Sequence, residues 1–194
     1  MTYEYAVYFK LLLLCGYKNE LQAYIDNALI EQNPLSDVIL ELSQSDNDKN
    51  TLSILNQYLS KVNDTDIDYN HTVFNLIMDF LKKHYTSGNL SMKEITDLMY
   101  KIALNTGREL EEPWQSMYFL GDFYAEAEEG YFDMEDYKRK FNAFINDKIY
   151  IWDESKAESK PSFLQMCLLL LKSIFKRWKN PTTKLLGCGV CFLI

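Results

Sequence analysis

Apolar residues recur along the chain at the three- and four-residue spacing of helices, and Gly, Pro and short polar runs cut the periodic stretches apart. Residues 114–129 carry this pattern furthest. At 100° per residue Trp114, Met117, Tyr118, Leu120, Gly121, Tyr124, Ala125 and Ala127 fill one broad arc, with Phe119 and Phe123 nearly opposite. Only Gln115, Asp122, Glu126 and Glu129 make a polar stripe, as expected of a helix packed on most sides that shows solvent one negative strip. Gly130 suits a C-cap. Beyond the turn, Asp133 is placed to cap a second helix, in which Met134, Tyr137, Phe141, Phe144 and Ile145 form a stripe of ordinary core width.

The same signals divide the rest of the chain. Residues 3–15 read as an apolar helix stopped at Gly16, and residues 19–32 as a second, with Leu21, Tyr24, Ile25, Ala28 and Leu29 inward and Asn33-Pro34 as its end. Ser36 is placed to cap a short third helix with Val38, Ile39 and Leu42. A polar loop is expected over 43–50, a fourth helix over 51–62 with Leu52, Leu55 and Leu59, and an acidic break over 63–70. Residues 71–85 follow with Val73, Phe74, Ile77, Met78, Leu81 and Tyr85, and Gly88 closes them. Ser91 and Glu94 fit a capping box that opens a helix carrying Ile95, Leu98, Met99 and Ile102, closed by Gly107.

The expected fold is therefore all-α, a bundle of about eight helices. Helix, glycine, helix, proline, helix, helix recurs in each half, which fits two related four-helix units or chance recurrence in a helical chain. The expected divisions are an N-terminal unit at 1–70, a second unit at 71–150, a linker at 151–162 and a basic apolar tail at 163–194.

Composition supports a packed chain: 47% of the 194 residues are hydrophobic and 14% aromatic, enough for a sizeable core, while 7 Gly and 4 Pro are too few for a many-turned β protein. Charge changes the picture more. All 28 Asp and Glu precede residue 161 together with 15 of the 20 Lys and Arg, leaving −13 on residues 1–160 and +5, with no acid, on 161–194. Such a body repels nucleic acid and attracts basic partners. Glu126, Glu128, Glu129, Asp133, Glu135 and Asp136 place six carboxylates among eleven consecutive residues. That density costs stability unless a cation shares it, although carboxylates near a helix N-terminus also favour its dipole.

Little points to catalysis. The two histidines, His71 at a helix start and His84 on an expected wet face, have no partner nearby in sequence, and no phosphate loop, nucleophile elbow or metal-binding spacing is present. No enzyme activity, metal or cofactor is expected. Cys15, Cys167, Cys188 and Cys191 form no disulfide framework, and residues 1–14 lack the basic start and cleavage site of a signal peptide. The expectation is a cytoplasmic protein with reduced thiols.

Over residues 74–145 the chain resembles the bacterial colicin-like immunity family, of the colicin D type. The resemblance rests on the helix ending in Phe80-Leu81, the turn Gly88-Asn89-Leu90-Ser91 before Glu94-Ile95, the helix with Met117-Tyr118-Phe119-Leu120 and its acidic end, and the turn Asp133-Met134-Glu135-Asp136 opening a last helix. Residues 1–70 and the chain after Trp152 depart from the small members. The resemblance implies a helical bundle that binds a basic toxin domain, often a ribonuclease, with acidic side chains standing in for RNA phosphates. Carried over, the candidate partner-binding residues are Asp122, Glu126, Glu128, Glu129, Asp133, Glu135 and Asp136. Phe119, Phe123, Tyr131 and Phe132 are candidate apolar anchors, of which Tyr131 and Phe132 are favoured by their place in the turn.

In the tail, residues 163–171 are apolar, Lys172, Lys176, Arg177 and Lys179 follow, and residues 185–194 are uncharged. Neither apolar run reaches the ~18 residues of a spanning helix. Two readings stay open: a helix lying in a membrane interface at the inner face of the membrane, or one more helix docked on the acidic body. Cys191-Phe192-Leu193-Ile194 loosely fits a prenylation signal with Cys188 available for a second lipid, a reading that applies only inside a eukaryotic host.

Overall fold

In the computed structural model, residues 1–147 are described; the linker expected at 151–162, the tail at 163–194 and Cys167, Cys188 and Cys191 lie outside them. The described residues form eight α-helices and no strand. These are α1 Tyr3–Leu14, α2 Asn19–Glu31, α3 Asp37–Ser43, α4 Asp48–Leu59, α5 Phe74–Thr86, α6 Met92–Thr106, α7 Trp114–Glu128 and α8 Met134–Asp147. Between α4 and α5 lie a 3-10 turn, Asp64–Asp66, and a π-helical turn, Tyr69–Val73.

Local chemistry explains most boundaries. The Ser91 hydroxyl accepts the Glu94 amide at the head of α6, and the Glu94 carboxylate accepts the Ser91 amide at 2.8 Å, completing the capping box. Gly107 ends α6 in the left-handed conformation that only glycine adopts without strain. The expected loop at 43–50 is shorter than read, because the Asn47 side chain accepts the Asn50 amide at 2.8 Å and starts α4 three residues early. Ser36 occupies the N-cap position of α3 without making the cap bond. Ahead of α5 the capping side chain is Asp68, which accepts the amides of His71 and Thr72 and the Thr72 hydroxyl. The Thr72 hydroxyl is the main reason that the Asp68 carboxyl is held below its ordinary range.

The helices close over one core. Ala6, Val7, Tyr8, Phe9, Leu11, Leu12 and Leu13 bury α1 on nearly every side, and this helix packs against α4, α5 and α6. The boundary expected near residue 70 falls inside that core, since Leu21, Ile39 and Leu55 from the first half and Phe74, Ile102 and Trp114 from the second belong to a single buried cluster. Leu29 and His84 depart from their expected positions. Leu29 of α2 is 41% exposed. His84, expected on the wet face, lies instead against the rings of Tyr17 and Phe80, at 6.3 and 4.4 Å between centroids, with Nε2 3.8 Å from Glu20.

The tightest junction joins α6 to α7. Tyr118 stacks on Tyr100 at 4.9 Å, and a methyl group built on Gly121 falls 2.7 Å from the Tyr100 Cβ, which is anchored to the backbone and cannot swing away. Gly121→Ala gains helix propensity of up to about 1 kcal/mol but must push the helices apart, and overpacking of this kind costs typically 1–3 kcal/mol. The expected outcome is a net loss of stability in urea unfolding, together with weaker Tyr100–Tyr118 contact. A stabilised variant would show that the junction yields.

Candidate protein-binding face

Helix α7 is set in place from its N-terminus. Trp114 is fully buried, meets Phe74 edge-on at 5.3 Å and donates its indole N–H to Asn70 at 3.0 Å. The Glu112 carboxylate accepts the Ser116 hydroxyl at 2.8 Å; burial raises its pKa, and the bonds from Ser116 offset this in part. At the other end the Tyr131 amide donates to the Glu126 carbonyl at 2.8 Å and the Gly130 amide to that of Ala127 at 3.2 Å, the two bonds of a Schellman motif around Gly130. Asp133 then accepts the Asp136 amide at 2.7 Å and starts α8. The buried Tyr137 hydroxyl bonds Thr96 at 2.7 Å and ties α8 to α6. Burial pushes the Tyr137 phenol well above its ordinary range.

The nine sequence-derived candidates are thus gathered along the outer part of α7, the turn and the start of α8, but their chemistry is uneven. Glu128 accepts Lys93 of α6 at 2.6 Å, which lowers its pKa, while the Lys93 ammonium also lies 5.5 Å from the Tyr124 ring. Glu135 pairs with Lys138 at 2.6 Å, and Asp136 with Arg139 and with Lys140 at 3.8 Å. Glu128, Glu135 and Asp136 therefore face cations of the same chain, and Asp133 serves as a cap. Glu126 and Glu129 are exposed.

Asp122 is half-buried, and desolvation raises its pKa against the opposing hydrogen bond of Tyr118. Phe132 is no free anchor: it stacks on Phe123 at 5.6 Å under Lys140, 5.3 Å away, and Phe119 stacks on Phe123 at 6.0 Å. Tyr131, 48% exposed, presents its ring outward from the turn.

Another acidic stretch, less dense along the sequence, is interrupted by no cation. Between Lys18 and Lys49 stand Glu20, Asp26, Glu31, Asp37, Glu41, Asp46 and Asp48 and no Lys, Arg or His. Their signal is the missing cations.

No group of three or more His, Cys, Asp or Glu among the described residues could hold a metal ion. His71 is exposed beside Asp68 at 3.8 Å. A depression of about 200 Å³ lined by Leu13, Lys18, Leu42 and Thr51 is smaller than the roughly 300–1,000 Å³ of small-molecule sites. No helix of the described residues is long and apolar enough to cross a membrane. No family model, curated protein or solved structure matches the chain.

An acid raised by burial stabilises the fold only while protonated, so its contribution is present below the unfolded pKa of about 3.9 and is lost as pH rises through the folded value. Asp122→Asn removes that loss and retains an acceptor for Tyr118. The variant is expected to melt above the parent at pH 7, with the gap closing as pH falls toward 4. A gap independent of pH would place the effect outside ionisation.

Proposed function

We propose that this chain binds and neutralises a basic toxin domain, in the manner of an immunity protein, by covering the toxin's substrate cleft with an acidic helical surface. One observation carries the reading: residues 1–147 hold twenty-five Asp and Glu against twelve Lys and Arg, outside a core whose buried polar side chains are only Thr96 and Ser116. A ribonuclease cleft is basic because it holds phosphates. A rigid anionic body is drawn to such a cleft quickly and loses little freedom on docking.

The α7–α8 turn supplies part of the field through the exposed Glu126. The pairs of Glu128, Glu135 and Asp136 sit at the surface, where ion pairs are weak and exchange readily for a partner's cations. Tyr131 offers an amphipathic contact of the kind enriched at interfaces. Binding of this kind uses no catalytic group, cofactor or nucleic acid.

The direct test is to read the gene immediately upstream: a toxin domain is expected there, and its co-expression with the full chain should restore growth and yield a stable complex. Reversing Glu128, Glu129 and Glu135 to Lys should slow association about tenfold at low salt and flatten its salt dependence. Unchanged on-rates would remove the turn from the interface.

A second reading, a membrane-surface adaptor, is favoured by the sequence of residues 161–194, where five bases and no acid separate two apolar runs. The full chain should then co-sediment with phosphatidylglycerol vesicles, and replacing Lys172, Lys176, Arg177 and Lys179 by Gln should release it. No co-sedimentation with the parent chain would exclude this reading.

A further inference from the structure

The corner formed by α2 and α3 combines three properties that packing does not explain. The first is exposed apolar surface. Ile30 is 83% exposed, Leu29 41% and Leu40 39%, so three of the seven exposed large hydrophobic residues among the described residues fall within twelve positions. The two helices that carry them pack on each other across a short connection.

The second is uncompensated charge. Of the seven carboxylates between Lys18 and Lys49, only Glu20 has an ion pair among the described residues, with Lys83 at 3.1 Å and with His84. Asp26 accepts the Gln22 amide and Asp46 that of Asn47, neutral donors that leave both charges in place. By contrast, the turn at 126–136 is followed at once by Lys138, Arg139 and Lys140.

The third is the direction of the helices. Neither α2 nor α3 has a base in its last turn, and α2 ends on Glu31. A helix C-terminus carries partial negative charge that acts within its last turn, so these carbonyl ends add to the field of Glu31 and Glu41.

We infer that the α2–α3 corner is a docking surface for a basic amphipathic segment of another protein, its apolar residues covering Leu29, Ile30 and Leu40 and its Lys or Arg side chains meeting the surrounding carboxylates. An apolar centre within a charged rim is the usual anatomy of a protein interface. The sign of the rim selects the partner. This surface is separate from the α7–α8 turn and does not depend on the partner's being a toxin.

The test is titration of the isotope-labelled full chain with a short amphipathic helical peptide of Leu and Lys, followed by NMR. Amide shifts centred on residues 26–41 are expected. Ile30→Ser with Leu40→Ser should weaken binding about tenfold or more, and Glu31→Lys with Glu41→Lys should weaken it most at low salt. All four positions are exposed, so melting temperatures should stay close to the parent's and report intact folding.

Shifts centred on 122–136, unaltered affinity in the serine variant, or no binding at all would overturn the assignment. So would a full-chain dimer that Ile30→Ser converts to monomer, which would give the surface to a second copy. Failure of toxin rescue with the peptide still mapping to 26–41 would remove the immunity reading and leave this one standing.

Discussion

The close approach of α7 to α6 at Gly121 and Tyr100 is the constraint on which the second half of the structure depends. With no side chain at 121, the two backbones come near enough for Tyr118 to stack on Tyr100 and for Trp114, Met117 and Leu120 to seal the core. The same junction brings Lys93 within reach of Glu128 and Thr96 within reach of Tyr137, so α8 and the acidic turn are placed through α6. A bulkier residue at 121 would shift that whole assembly.

That geometry also decides how the charge is shared. Like charges repel over short range, and the α7–α8 turn relieves the repulsion with cations from its own helix and from α6. Among the described residues the α2–α3 corner has no such relief beyond the pair of Glu20 with Lys83. Two acidic regions therefore differ in what they offer a partner among the described residues: one holds exchangeable ion pairs, the other carboxylates mostly without an ion pair beside exposed apolar side chains.

Much of the fold was legible because its punctuation is chemical. The Ser91–Glu94 box, the left-handed glycines and the Asp133 cap each act within a few residues, so spacing alone discloses them. The all-helical class and most of the core followed from periodicity. What escaped was long in reach. The bond of Lys93 to Glu128 spans 35 residues, and the burial of His84 beside Tyr17 and Glu20 depends on how α1, α2 and α5 meet.

The pairs of Glu135 with Lys138 and Asp136 with Arg139 were visible in principle, being three residues apart on one helix. Leu29 shows the converse: a residue four positions beyond Ile25 has the spacing of a core position, yet it faces outward. Periodicity gives the face of a helix and says nothing of whether a neighbour covers it.

The burial of α1 has a consequence for how the protein is made. This helix leaves the ribosome before the other described helices, but its partners reach as far along the chain as α6, which ends at Thr106. At translation rates of about 5–20 residues per second, the apolar surface of Ala6 to Leu13 waits on the order of 5–20 s before the last of those partners exists. During that interval the nascent chain presents a continuous greasy helix, which makes α1 the natural substrate for a chaperone and the point from which misassembly of the newborn fold would start.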